Sequence, residues 1–295
     1  MRLTLLGTGT PSPSLKRKSS GYLIELPGKT VIVDLGGGAY QRFLETGLRP
    51  TDVTHLFVSH LHSDHILDIP HLVLGRWDQS DGTLPPLKVF GPPPLARTFD
   101  RFFGPDGAFG PDIRSRCEHV ASLAIFAARG GTPPRRPPTA NLQEIEPGDL
   151  LEEDGLRVFI GRSQHIVPLL GCYCYRFNTD RADVVYTGDS GFSQAVIEFA
   201  GGCDVLIAMC QYLEETPLPI KARATAASHI EVARMAQMAS VRTLVLSHLS
   251  EQFDDPHAKA RAHREMAALF QGDIVWGEDG LSLPIGFEAP PRHFD

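Results

Sequence analysis

Ser59-His60-Leu61-His62-Ser63-Asp64-His65 sets three imidazoles and a carboxylate within six residues, directly after the compact, partly β-branched run 54–59. That run reads as a buried strand, so the histidines fall on the loop at its C-terminal end. Imidazole nitrogen and carboxylate oxygen are the usual ligands of catalytic zinc sites, which keep a position open for water. One such loop cannot close all four groups round a single ion without strain. Dividing them between two adjacent ions is the easier geometry. The plainer alternatives are a chance cluster on a solvated loop and a structural zinc site. Structural sites favour cysteine, and no cysteine falls in this stretch.

Three further positions share that context. His165 follows a predicted strand over 156–164, Asp189 follows one over 183–187, and His248 follows one over 242–247. Strand ends on one rim of a sheet sandwich can converge although they are distant in sequence. Upstream, 2–6, 22–26 and 30–34 read as strands, the last closed by Asp34, with Pro27-Gly28-Lys29 as a turn and a helix near 39–47. Strands over 172–178, 204–209 and 273–276 and helices near 193–200, 227–239 and 256–270 complete the regular part. Asp255-Pro256 opens the last helix as a cap followed by proline at the first helical position. An early run of strands, then strands alternating with helices, predicts an α/β chain with two mixed β-sheets flanked by helices, an αββα sandwich. The whole span 1–295 reads as one domain.

Residues 75–150 differ in character, with Pro85-Pro86, Pro92-Pro93-Pro94, Pro133-Pro134 and Pro137-Pro138 and a helix only near 95–103. They are expected to form a lid or pocket wall, with 131–138 as the flexible part. Their aromatics, Trp77, Phe90, Phe99, Phe102, Phe103 and Phe109, read more readily as satellite core than as pocket.

The formal net charge is −7, so no global basic field would gather nucleic acid or an anionic membrane. No apolar run is long enough to span a bilayer. The five cysteines are odd in number and lack a C-x-x-C spacing, which argues against a disulfide framework and fits a cytoplasmic location. Cys172 and Cys174, two apart on a strand, read as buried small hydrophobes.

The ordered set of motifs resembles the metallo-β-lactamase superfamily. It comprises the H-x-H-x-D-H run, the later His165, Thr187-Gly188-Asp189-Ser190 and Leu246-Ser247-His248. The opening Leu5-Leu6-Gly7-Thr8-Gly9-Thr10-Pro11, and Ser228-His229-Ile230 ahead of an Ala-rich helix, resemble the branch that holds ribonuclease Z and the zinc arylsulfatases. The resemblance implies a dinuclear zinc hydrolase that cleaves an ester-like bond of a small substrate with a metal-bridging hydroxide. Two Zn²⁺ per chain are implied, with Mn²⁺ or Fe as other candidates. His60, His62 and His165 would hold one ion, Asp64, His65 and His248 the second, and Asp189 would bridge them. Asp34 would support the metal loop from behind. Asp64 and His229 are the candidate catalytic residues, His229 as a non-ligand histidine that stabilises developing charge or protonates the leaving group. A homodimer is also implied.

Two departures separate the chain from ribonuclease Z. The long basic arm of that enzyme would lie between His165 and Asp189, where this chain has only the 23 residues 166–188. The strand over 204–209 should also end in an acidic partner for His229, and Cys210 stands there instead. Without it, His229 acts mainly as a neutral donor, or Glu214 or Glu215 reaches back to it. Together with the net charge, these departures argue against nucleic acid as the partner. The tRNA 3′-processing endoribonuclease and the non-catalytic ligand sensor are the alternative functions. His55, His71, His119, His257, His263 and His293 read as ordinary, with His257 and His263 on the wet side of their helix.

Overall fold

Alternate residues of single strands go to different cores, and this separates the layers of the molecule. In the computed structural model, which describes residues 1–286, the first sheet begins with β1 (Arg2–Gly7), β2 (Gly21–Leu26), β3 (Lys29–Leu35), β4 (His55–Phe57), β5 (Leu87–Gly91) and β6 (Ala140–Glu144). The second contains β7 (Leu150–Glu153), β8 (Leu156–Arg162), β9 (Tyr173–Thr179), β10 (Ala182–Tyr186), β11 (Val205–Met209), β12 (Thr243–Ser247) and β13 (Asp273–Trp276). The last strand, β14 (Ser282–Pro284), returns to the first sheet beside β1. Strand orders are β14-β1-β2-β3-β4-β5-β6 and β13-β12-β11-β10-β9-β8-β7.

Val31 and Val33 of β3 face β8–β11 across the sandwich, where they meet Val158, Phe177, Val184 and Ile207. Ile32 between them packs outward with Phe43, Ile69 and Leu72 under the helices Ala39–Glu45 and Ile69–Gln79. In the same way Val205 and Ile207 of β11 face inward, while Leu206 and Ala208 meet Val232, Ala233 and Met266 of the helices His229–Met238 and Pro256–Ala267. Strands buried on both faces read as continuous apolar runs, which is why parallel pairs such as β10–β11 and β11–β12 lack polar alternation. The expected two mixed sheets flanked by helices are present. Each fully buried Val, Leu or Ile contributes about 1.5–3 kcal/mol through removal from water.

The 75–150 segment is more regular than its prolines suggest. It carries β5, β6, the C-terminal part of the helix Ile69–Gln79 and the helices Leu95–Phe103, Gly110–Glu118 and Val120–Ala128. Arg135, inside the Pro-rich run, is buried. His257 and His263 are exposed as expected, and Asp255 accepts from the backbone N–H groups of His257 and Ala258. His119 caps the helix Val120–Ala128, accepting from the Ala121 N–H. His293 lies outside the described residues. Among the described residues no helix is long and apolar enough to cross a membrane.

Candidate metal centre

All the predicted ligands lie beyond the C-terminal ends of strands. β4 ends at Phe57, and its chain runs on through Val58 and Ser59 into the histidine loop, which becomes the short helix Ser63–Ile66. That helix lies so close to β3 that a Cβ on Gly36 would stand 1.9 Å from the Asp64 carbonyl oxygen, so only glycine fits there. His165 leaves β8, Asp189 leaves β10 through Gly188 at φ +58°, and His248 leaves β12 at φ +54°. A left-handed backbone is rare for a residue other than glycine, and at a strand end it turns the side chain out of the ladder.

Two overlapping groups of metal-ligating side chains result, His60–His62–His165–Asp189 and Asp64–His65–Asp189–His248, each with its ligand atoms within 4.8 Å of one another. His62 Nδ1 lies 2.9 Å from His60 Nε2 and 3.3 Å from His165 Nε2. Asp189 belongs to both groups. Its Oδ2 is 3.9 Å from His60 Nε2, 3.8 Å from His165 Nε2 and 3.2 Å from His248 Nε2, and its Oδ1 is 3.4 Å from His65 Nε2. Asp64 Oδ2 is 3.2 Å from His248 Nε2 and 3.5 Å from His65 Nε2.

Buried polar atoms without partners are costly and rare. Here His65 Nε2 and Asp189 Oδ1 are buried with no hydrogen-bond partner among the described residues, and both point into the second group. A donor set of imidazoles and carboxylates with orphaned atoms aimed at one another suits a divalent metal. Burial pushes His60 and His62 toward the neutral form that a metal requires. Burial acts the same way on His65, but Asp189 and Asp34 outweigh it and hold that imidazole well above its usual range.

Asp34 sits behind the second group as the sequence implies, and the means is a β-bulge. Gly21 pairs with Leu35 and Tyr22 with Val33, so Asp34 is the extra residue, at φ +54°. Its carboxylate accepts four hydrogen bonds: from the Ser59 N–H at 2.7 Å, the Ser59 hydroxyl at 2.7 Å, His65 Nδ1–H at 2.7 Å and the Tyr186 hydroxyl at 2.8 Å. With Nδ1 committed, His65 presents Nε2 to the site. His165 is fixed in the same manner, because its Nδ1–H donates to the Thr225 carbonyl at 2.6 Å. Tyr186 and Thr225 are supporting residues that sequence reasoning missed. Tyr186 had a weak signal, three residues before Asp189 on its strand. A carbonyl oxygen has none.

His229 is the exception. Its side chain is fully buried, and it makes no hydrogen bond or ion pair with any ligand among the described residues. Nδ1 accepts from the Glu214 N–H at 3.2 Å, and Nε2 meets Glu265 Oε2 at 2.7 Å. The expectation that Glu214 or Glu215 supplies the missing carboxylate is therefore corrected. Glu214 turns its carboxylate to Ser228 and Arg223, and Glu215 pairs with Arg261. Glu265 was not legible because it lies 36 residues away on another helix. Three cavities lined by residues between 55 and 158 have no metal ligand in their walls.

The family profile of the metallo-beta-lactamase superfamily matches residues 16–248. A ribonuclease Z of Mycobacterium sp. (strain KMS) is 29% identical over 286 residues, covering 95% of this chain and 94% of that protein. Among solved structures, the metallo-beta-lactamase fold protein YhfI from Bacillus subtilis superposes with a TM-score of 0.72 at 20% identity, covering 96% of this chain and 98% of that one. The short form of human tRNase Z superposes with a TM-score of 0.66 at 18% identity, over 97% and 99%. The chain belongs to the metallo-beta-lactamase superfamily and is a metal-dependent hydrolase.

Proposed function

We propose that this chain hydrolyses a phosphodiester of a small substrate with two divalent metal ions, zinc first among the candidates, held by His60, His62, His165, Asp64, His65 and His248 and shared through Asp189. The observation that carries this reading is the membership of Asp189 in both ligand groups, its Oδ1 near His65 and its Oδ2 between His60, His165 and His248. Bound metals would supply Lewis-acid activation of water and neutralise charge developing on the ester oxygens. The protein's own part is orientation. Asp34 and the Thr225 carbonyl set the ring faces of His65 and His165, and the buried walls exclude bulk water from those imidazoles. His229 has no free ring nitrogen for a leaving group, so we assign it a structural role between helices.

A small substrate is favoured by the interval between His165 and Asp189. It holds a short loop, β9, a tight turn at 180–181 and β10, with no protruding basic arm. The second reading is cleavage of RNA at tRNA 3′ ends. It is favoured by the name of the mycobacterial relatives, which match over 94% of their own length. The chain is about as long as those relatives, and the match weighs against the expectation that nucleic acid is not a partner.

The test is steady-state hydrolysis of bis-p-nitrophenyl phosphate, p-nitrophenyl sulfate and p-nitrophenyl acetate, beside an unprocessed tRNA, by zinc-loaded wild type and Asp189→Ala. Phosphodiester turnover that falls at least about 100-fold in Asp189→Ala is expected. Turnover of only the sulfate or the acetate sinks the proposal. Cleavage of the tRNA alone, with binding that weakens steeply as salt rises, selects the second reading.

A further inference from the structure

The 69–139 segment builds a cavity of about 490 Å³ between the C-terminal end of the helix Ile69–Gln79 and the Pro-rich run, and no metal ligand lines it. Its charge is unbalanced. Arg76, Arg135 and Arg136 stand in the wall, and the one carboxylate there, Asp81, is turned onto Thr83 at 2.6 Å and 2.9 Å. Among the described residues Arg76 donates only to carbonyl oxygens, those of Val53 at 3.1 Å and Pro85 at 2.8 Å. The Arg135 guanidinium lies 4.0 Å from the Trp77 ring and 5.1 Å from the Phe126 ring. Its Nε is buried without a partner among the described residues. Asp78, which it reaches at 3.4 Å, is already shared with Arg116 at 3.0 Å and Arg129 at 2.8 Å. Arg136 forms no ion pair among the described residues.

Arg76 is half-buried without a counter-ion, which is costly because desolvation is not repaid by a partner, and Arg136 adds an exposed positive charge at the rim. In a chain of net charge −7 such a surplus is local and unexplained by the hydrolytic site. The rest of the wall mixes aromatic rings, prolines and aliphatic side chains with a serine and three threonines, and its apolar part offers contact to an apolar body. The volume is that of a small-molecule site.

We propose that this pocket binds a small organic anion, a phosphate or carboxylate on an apolar body, separately from the metal centre. Arg136 and Arg76 take the anionic head, and Trp77 and Phe126 flank the body.

The chain has two tryptophans, so a Trp276→Phe variant leaves Trp77 in the pocket wall as the sole indole reporter. Benzylphosphonate, which has no ester bond to hydrolyse, is titrated into the zinc-loaded protein, with inorganic phosphate and benzyl alcohol in parallel. The expected result is a saturable change in Trp77 emission with benzylphosphonate, tighter than with inorganic phosphate and absent with benzyl alcohol. Arg136→Gln, at an exposed position, and Arg76→Gln each weaken it about tenfold, as loss of a charged hydrogen bond requires. Turnover at the metal centre is unchanged in Arg136→Gln. No saturable change up to about 10 mM overturns the proposal. So does a change of equal affinity in both arginine variants, which would place the phosphonate elsewhere.

Discussion

At the scale of single residues, the centre depends on how imidazoles are held from behind. Asp34 satisfies the Ser59 N–H and hydroxyl, His65 Nδ1–H and the Tyr186 hydroxyl at once. Removing it leaves buried donors without an acceptor and frees His65 to turn. Asp34→Ala should therefore weaken metal binding by about 10–100-fold. Competition against a chromophoric chelator measures this, and unchanged affinity would show that His65 is oriented by other means. The sequence named Asp34 as a supporting carboxylate, and its carboxylate lies 2.7 Å from His65 Nδ1. It could not name Tyr186 or the Thr225 carbonyl, since hydrogen bonds made behind the ligands leave no spacing pattern.

At the scale of elements, strand ends supply ligands and helix ends supply rigidity. The helix His229–Met238 begins with a capping box, in which Ser228 accepts from the Glu231 N–H and Glu231 accepts from the Ser228 N–H. Its first residue, His229, then ties it to the helix Pro256–Ala267 through Glu265. A buried ring nitrogen that loses its partner costs about 1–3 kcal/mol. Glu265→Ala should thus lower the free energy of unfolding by that amount in a denaturant melt while leaving kcat on a phosphodiester substrate near the wild-type value. A fall in kcat of about 100-fold without loss of stability would return His229 to the reaction. Helices and strands with unbroken apolar patterns, such as 204–209 and 256–270, were legible in the sequence. β5, β6 and the helices between 69 and 128 were missed in part because prolines beside them read as breakers, although proline at the first positions of the helices Ile69–Gln79 and Gly110–Glu118 is compatible with a helix start.

At the scale of the molecule, two sheets bring four distant segments to one rim, and the resulting cluster is incomplete without metal. Burial opposes a charge on His65, but Asp189 and Asp34 outweigh it and raise the proton affinity of that imidazole well above its usual range. Metal binding needs that nitrogen free, so zinc uptake should release protons and weaken as pH falls. Because metal binds the folded state, saturating zinc should raise the melting temperature by about 5 °C or more near pH 8, with a smaller gain near pH 6. A pH-stat and paired thermal melts check both, and a gain independent of pH would contradict the raised proton affinity of His65. The sequence by itself determined the layered fold and the candidate ligand types, because apolar periodicity and ligand types at strand ends are local properties written residue by residue. Only the tertiary structure decided which carboxylate meets His229, that a bulge aims Asp34 at His65, and that the 75–150 segment encloses a cationic pocket of its own. Those outcomes depend on groups far apart in the chain whose approach is set by the packing of sheets and helices, and no local pattern records it.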